Sequence, residues 1–262
     1  MAVALQKRPI RSRIVYGPVR SRRLGFSLGV NLMPSRYKLC SFNCLCCPYS
    51  WTCRATAPPG DRLKDTPPPD KVLGALENAL QRLSHNRRRA DSIVICGNGE
   101  PTLHPHLREI VEAVKELRDR YLPRAATAIF SNSSTVADPR VRDTLDLLDL
   151  NVMKFDAGSE ELIRELNQPA GPIYVGELVA GLRELKRVHL ASLFVQGRVT
   201  NADPDSVELW SERIEEIRPA LVQIYTLDRP PVDPRIEKVS LPTLQWIAEE
   251  VHWRTRIPVE IC

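Results

Sequence analysis

Three cysteines, Cys40, Cys44 and Cys47, stand at C-x3-C-x2-C spacing in the run Lys38-Leu39-Cys40-Ser41-Phe42-Asn43-Cys44-Leu45-Cys46-Cys47-Pro48. Three thiolates on one short loop hold three corners of a cubane iron–sulfur cluster and leave the fourth iron open to another ligand. An open iron marks a cluster that performs chemistry, whereas a fully capped cluster mainly carries electrons. Zinc is the alternative. Structural zinc takes four ligands, commonly as two separated pairs; a second pair is missing, because Cys96 sits in an apolar run and Cys262 is terminal. Cys46 and Cys53 would still complete a four-thiolate knot, so spacing alone leaves both metals open.

A second segment, Gly97-Asn98-Gly99-Glu100-Pro101-Thr102-Leu103-His104-Pro105, follows directly on the apolar run Ser92–Cys96. Glycines at a strand's carboxyl end let a ligand approach the backbone closely. In parallel α/β folds that end is where active sites assemble. By itself the segment reads as a Gly-rich turn.

The elements that must carry these loops are visible as alternation. Strand-like runs recur at Ser27–Leu32, Ser92–Cys96, Ala126–Phe130, Asn151–Phe155, Ser192–Val195 and Leu221–Tyr225. Between them lie one-sided apolar helical sets: Val72, Leu76, Leu80 and Leu83; Leu107, Val111, Val114 and Leu117; Leu178, Leu182 and Leu185; Val207, Trp210, Ile214 and Ile217; Leu244, Ile247 and Val251. Trp210 and Trp246 read as core, and Asp138-Pro139 and Asp205 as helix starts. The pattern predicts an α/β fold with parallel strands and right-handed crossovers, a partial (β/α)6 TIM-like barrel, with a doubly wound open sheet as the alternative. Residues 1–26 read as a basic extension packing on a barrel formed by 27–262, which includes a cysteine loop at 38–53 and a Pro-rich surface loop at 54–70.

Charge is unevenly spread. Residues 1–60 hold ten Lys or Arg and no Asp or Glu, so a basic N-terminal part faces a mildly acidic body and suggests anions close to the cysteine loop. Arg20, Arg22 and Arg23 suit contact with such anions; Arg87-Arg88-Arg89 reads as a solvated loop. Five cysteines crowded between Cys40 and Cys53 in a 262-residue chain argue against a disulfide framework and for ligation in a reducing, cytoplasmic compartment. No apolar run reaches membrane-spanning length.

Together these pieces resemble the radical SAM superfamily, whose C-x3-C-x2-C loop binds a [4Fe–4S] cluster and whose GGE-type motif, here Asn98-Gly99-Glu100-Pro101, holds the methionyl amine of S-adenosylmethionine. The runs Tyr16-Gly17-Pro18-Val19-Arg20-Ser21-Arg22-Arg23-Leu24-Gly25 and Tyr225-Thr226-Leu227-Asp228-Arg229-Pro230 resemble a subgroup loosely related to the wyosine-forming tRNA enzymes. The resemblance implies Cys40, Cys44 and Cys47 as cluster ligands. For the ribose and carboxylate of the cofactor it implies Ser131, Asn132 and Ser133 after the third strand, and Lys154 and Asp156 after the fourth. Gln196, Arg198 and Asn201 end the fifth strand and are candidates for cofactor or substrate, with Gln196 placed among the cofactor residues. His104 reads as a backbone-fixing residue rather than a catalytic one. The chain departs from the family at Cys46, where an aromatic residue usually precedes the third cysteine. The activity implied is reductive cleavage of S-adenosylmethionine to a 5′-deoxyadenosyl radical that takes hydrogen from a substrate. Flavodoxin or ferredoxin would supply the electron. The substrate would be tRNA, a peptide or a small molecule, with the basic N-terminal part favouring tRNA. A non-catalytic iron–sulfur or zinc protein on the same scaffold is the competing reading.

Overall fold

The computed structural model describes residues 9–21, 23–49, 51, 52, 54–56, 65–86 and 88–262. Arg22, Cys53, Arg87 and residues 57–64 of the Pro-rich loop lie outside them. The chain opens with β1 (Val15–Ser21) and β2 (Gly25–Val30), followed by the short β3 (Leu39–Cys40) and β4 (Arg54–Ala55), which pair with each other. Then α1 (Pro69–His85), β5 (Ser92–Ile95), α2 (Leu107–Tyr121), β6 (Ala126–Ser131), α3 (Pro139–Leu145) and β7 (Leu150–Lys154) alternate. Next come α4 (Glu160–Asn167), α5 (Val175–Glu184), β8 (Val188–Leu193), β9 (Val195–Gly197), α6 (Pro204–Ile217) and β10 (Leu221–Tyr225). The chain closes with β11 (Ile236–Lys238), α7 (Leu241–Thr255) and β12 (Val259–Ile261).

Eight strands form one sheet in the order β1-β2-β5-β6-β7-β8-β10-β12. From β2 onward every pairing is parallel, each crossover carrying at least one helix. The strands are short and mostly apolar where helices cover them, as in Ser92–Ile95, all four of whose residues are buried. The parallel strands follow chain order with no reversal, as in the expected partial barrel and unlike a doubly wound sheet, and β1 and β12 lie at the edges.

Three details differ from the sequence reading. The run Val15–Ser21, expected within an extension packed on the barrel, pairs antiparallel with β2 and lengthens the sheet. The fifth strand starts at Val188 and ends at Leu193, earlier than Ser192–Val195, because the Asn201 side-chain oxygen accepts from the Val195 N–H at 2.8 Å and turns the chain away. Trp246 is not core: it is exposed, while Trp210 is buried, edge-on to Phe194 with ring centroids 5.0 Å apart. The apolar helical sets face inward throughout. Asp138 caps α3; Asp203, two residues before the expected Asp205, caps α6, each followed by Pro in the first turn. No helix among the described residues is long and apolar enough to cross a membrane.

Candidate functional site

The cysteine loop is pinned where β5 runs out. Leu39 donates its N–H to Asn98 O at 3.0 Å and accepts at its own oxygen from Glu100 N at 3.1 Å. Gly99 sits at φ +148°, and a Cβ there would fall 1.6 Å from Leu39 O, so only glycine permits this pairing. Farther along, Asn43 N and Leu45 N donate to Asn167 O and Leu166 O, both at 2.9 Å, tying the loop to the end of α4. Val232 N and Asp233 N donate to Leu45 O at 3.0 and 3.1 Å, tying it to the segment after β10.

Anchored in this way, Cys40, Cys44, Cys46 and Cys47 all line one cavity of about 830 Å³ at the carboxyl ends of the strands. Asn132 Nδ2 donates to Cys40 Sγ and Asn167 Nδ2 to Cys44 Sγ, both at 3.5 Å. Burial pushes the Cys40 thiol up to about 12. The Cys46 thiol donates to Cys44 and brings Cys44 down to about 6, while that same contact holds Cys46 well above its ordinary value. Burial opposes the charge on Lys38, yet Cys47, Cys40 and Cys44 around it raise its ammonium above the usual lysine value. Among the described residues no three His, Cys, Asp or Glu side chains close on one point as ligands of a single metal ion would. A cubane interposes its own irons and sulfides between its thiolates, so its ligands need not converge. Thiols in reach of one space, with amide donors on two sulfurs and an ammonium beside them, fit a sulfur-ligated anionic cluster.

The strand ends divide into wall and frame. Gly97, Gly99, Asn132 and Lys154 line the cavity. Glu100 does not: its buried carboxylate accepts from Thr102 N at 3.0 Å, Thr102 Oγ1 at 2.6 Å, Ser131 Oγ at 2.9 Å and Asn132 N at 2.5 Å. It locks the end of β5 to the end of β6, and burial leaves its pKa raised despite these donors. Asn98 also belongs to the frame, fully buried, donating to Arg11 O and Pro34 O at 2.8 Å each and accepting from Arg11 N at 2.7 Å. Pro101 opens a 3₁₀ turn behind the wall, and Ser133 Oγ donates to Lys154 O at 2.8 Å. Lys154 is ion-paired with Asp156, whose carboxylate also accepts from Leu193 N at 3.0 Å and Asn167 Nδ2 at 2.9 Å. The structure does not bring Gln196 to the cavity; it is exposed on β9. Arg198 instead pairs with Asp233, and Asn201 Nδ2 donates to Asp156 O and Leu193 O at 2.8 Å. His104 is buried, with Nδ1 accepting from His106 N at 3.1 Å and Nε2 3.0 Å from Pro67 O, the backbone-fixing arrangement expected.

Sequence reasoning missed part of the wall. Arg11 and Arg229 join Arg20 and Arg23 there, and Tyr16 reaches across to Cys96, its Oη 2.9 Å from Cys96 Sγ. Burial raises the Tyr16 phenol pKa. The signal was Gly29, whose Cβ would lie 2.2 Å from the Tyr16 ring: a glycine inside a strand marks a close neighbour.

The chain is 30% identical over 220 residues to UPF0026 proteins of two Helicobacter pylori strains, covering 83% of this chain and 67% of each relative. It belongs to the UPF0026 family. A UPF0026 protein of Methanocaldococcus jannaschii is 28% identical over 235 residues, 87% of this chain and 69% of that one. No family model matches the chain. Among solved structures, this UPF0026 member is similar to a radical SAM methyltransferase from Sphaerobacter thermophilus, with a TM-score of 0.67 and 15% identity over 90% of this chain and 65% of that one. TYW1 with a lysine-pyruvate adduct bound gives 0.60 and 14%, covering 87% and 74% of the two chains. Streptococcus suis SuiB bound to S-adenosylmethionine gives 0.58 and 15%, covering 88% and 51%. At such identities the likeness shows the fold, the partial barrel of the radical SAM enzymes. The chain spans about two thirds of the Helicobacter relatives' length and slightly less of the methyltransferase's.

Proposed function

We propose that this UPF0026 protein is a radical SAM enzyme, an oxidoreductase or transferase whose substrate enters the cavity beside the cysteine loop. The observation that carries the reading is the convergence of the thiols of Cys40, Cys44 and Cys47 with the ends of β5, β6 and β7 on one cavity. Cys40, Cys44 and Cys47 would hold a [4Fe–4S] cluster, leaving one iron for S-adenosylmethionine. When bound, cluster and cofactor supply a 5′-deoxyadenosyl radical able to remove hydrogen from carbon.

The chain's own residues bind and orient. Gly97 and Gly99 present bare backbone to the methionyl amine; the Asn132 amide and the Lys154 ammonium suit a ribose hydroxyl and a carboxylate. Asp156, Ser131, Ser133 and Glu100 act one layer back, holding Lys154, the β6 end and Asn132 in place. Val94, Phe130, Leu193 and Leu227 supply the apolar part of the cavity wall, the part that would keep water from the reacting atoms. Lys38 balances negative charge at the thiolates, and the Asn132 and Asn167 amides on sulfur tune the reduction potential. A flavodoxin or ferredoxin would deliver the electron.

Anaerobic reconstitution tests this. The expected outcome is about four irons per chain and dithionite-dependent release of 5′-deoxyadenosine, both lost in Cys40→Ala, Cys44→Ala and Cys47→Ala. Zinc without iron, or cleavage that survives these substitutions, refutes the reading in favour of a non-catalytic metal protein.

A further inference from the structure

The described cavity wall carries six cationic side chains, Arg11, Arg20, Arg23, Lys38, Lys154 and Arg229, against one carboxylate, Asp228. Two of the six have a partner in the site as proposed: Lys154 is paired with Asp156, and Lys38 lies among the thiols. The four arginines remain. None is ion-paired with a carboxylate among the described residues, and the buried Nε atoms of Arg11, Arg23 and Arg229 have no hydrogen-bond partner there. Arg11, Arg23 and Arg229 are half-buried and Arg20 is exposed, so the cost falls on the three buried Nε–H groups, which proteins keep where a ligand supplies the missing acceptor.

Arg23 is the centre of this wall. Its guanidinium carbon lies 4.5 Å from the Tyr225 ring centroid and 5.9 Å from that of Phe130, rings carried by β10 and β6, two strands that are not neighbours in the sheet. Aromatic faces orient a guanidinium while leaving its charge and its donor fork available. Arg11 is held similarly, 4.3 Å over the Tyr16 ring. In the proposed function the cofactor brings a single carboxylate, which would account for one of the four arginines at most even if Lys154 did not take it. A planar fork binds carboxylate or phosphate in bidentate fashion, but an excess of several charges calls for a group carrying more than one negative charge.

We infer that the substrate of this site bears a phosphate ester, bound by Arg23 with Arg11, Arg20 and Arg229 completing the anion-binding wall. The inference rests on the radical SAM reading for the word substrate, but the anion site itself stands without it. The phosphate would belong either to a small phosphorylated molecule or to a nucleic-acid backbone; both present the same oxygens to the wall.

The test is calorimetric titration of the anaerobically reconstituted full chain with inorganic pyrophosphate at constant ionic strength. The wild-type chain binds saturably, and Arg23→Gln weakens binding about tenfold or more, as loss of charge-assisted bonds requires. Arg23→Lys, which keeps the charge and loses the fork, falls between. Arg229→Gln, in the loop after β10, provides the same reading if Arg23→Gln does not fold. Ribose 5-phosphate and a short single-stranded RNA are then set to compete with pyrophosphate: preferential displacement by the first assigns a small ester, by the second a nucleic-acid backbone. Absence of saturable pyrophosphate binding, or equal affinity in the arginine variants, overturns the inference. Formation of 5′-deoxyadenosine is followed in parallel. Its absence with intact pyrophosphate binding removes the proposed activity alone, and its presence without pyrophosphate binding removes the anion site alone.

Discussion

Gly99→Ala tests whether the loop and the strand end form one mechanical unit. An added Cβ would sit 1.6 Å from a backbone oxygen, Leu39 O, and the residue would keep φ near +148°, so no side-chain movement relieves the clash. The chain must open the two backbone bonds on either side, Leu39 N to Asn98 O at 3.0 Å and Glu100 N to Leu39 O at 3.1 Å. Losing two such bonds costs about 1 kcal/mol each, and forcing an L-residue into this conformation costs about 1–3 kcal/mol, a total of roughly 3–5 kcal/mol. For a chain of this size that lowers the melting temperature by roughly 6–20 °C. Gly74 provides the control. It lies in α1, a Cβ there meets nothing within 4 Å, and Gly74→Ala stabilises by about 1 kcal/mol through helix propensity. Scanning calorimetry of both variants, with iron content after reconstitution, decides the matter. Gly99→Ala must melt lower and retain less iron; a wild-type melting temperature with full iron refutes the coupling of Gly99 to the loop.

The other predictions concern the frame. Removing one partner of the Lys154–Asp156 pair, whose side chains are 18% and 2% exposed, strands a charge, so Lys154→Met loses about 3 kcal/mol or more in urea unfolding. The double variant with Asp156→Asn recovers part of that loss; strict additivity would mean that the pair does not act as a unit. Asn98→Asp cannot donate to Arg11 O and Pro34 O, costs about 2–4 kcal/mol, and speeds tryptic cleavage after Arg11 and Arg13; unchanged cleavage would exclude Asn98 as the clamp of that segment. Burial works against the Asp149 carboxylate, but the Thr127 N–H and hydroxyl and the Arg118 guanidinium outweigh it and hold its pKa below the ordinary value. A depressed folded-state value adds stability that is present above the unfolded value of about 4 and is lost as pH falls below it. Unfolding free energy therefore falls on acidification below about pH 4, and Asp149→Asn makes that fall shallower; an identical slope in the variant would assign the acid sensitivity elsewhere.

Much of this arrangement was legible because local and global signals agree. Strands covered on both faces must be apolar, and helices with one covered face must repeat their leucines, so β5, β6, β7 and β10 and all five apolar helical sets were visible as patterns. The cysteine spacing likewise needs no tertiary knowledge. What escaped depends on contacts distant in sequence. Val259–Ile261 is too short and mixed to announce itself, and becomes a strand only because β10 offers a parallel edge. Trp246 shares the periodicity of α7 but falls beyond the covered stripe, on the solvent side. Glu100 looked like a ligand-facing acid; four donors from the 3₁₀ turn and the β6 end, about thirty residues on, turn it inward. Gln196 was placed by assuming that the strand continued, whereas the Asn201 side chain ends it early. Arg11 and Arg229 lie 218 positions apart and meet on one wall only after folding.

A ring of strands sealed all round would fix the width of its mouth, since widening it would mean breaking ladder bonds somewhere on the circumference. This sheet has no ladder between β1 and β12, so a change of width at that seam would break no interstrand bond. One flank of the mouth is therefore free of ladder bonds, while the flank that carries the sulfurs is held by them. Under the proposed function, a substrate larger than the chamber would leave its bulk outside at the seam and extend only its reacting carbon inward.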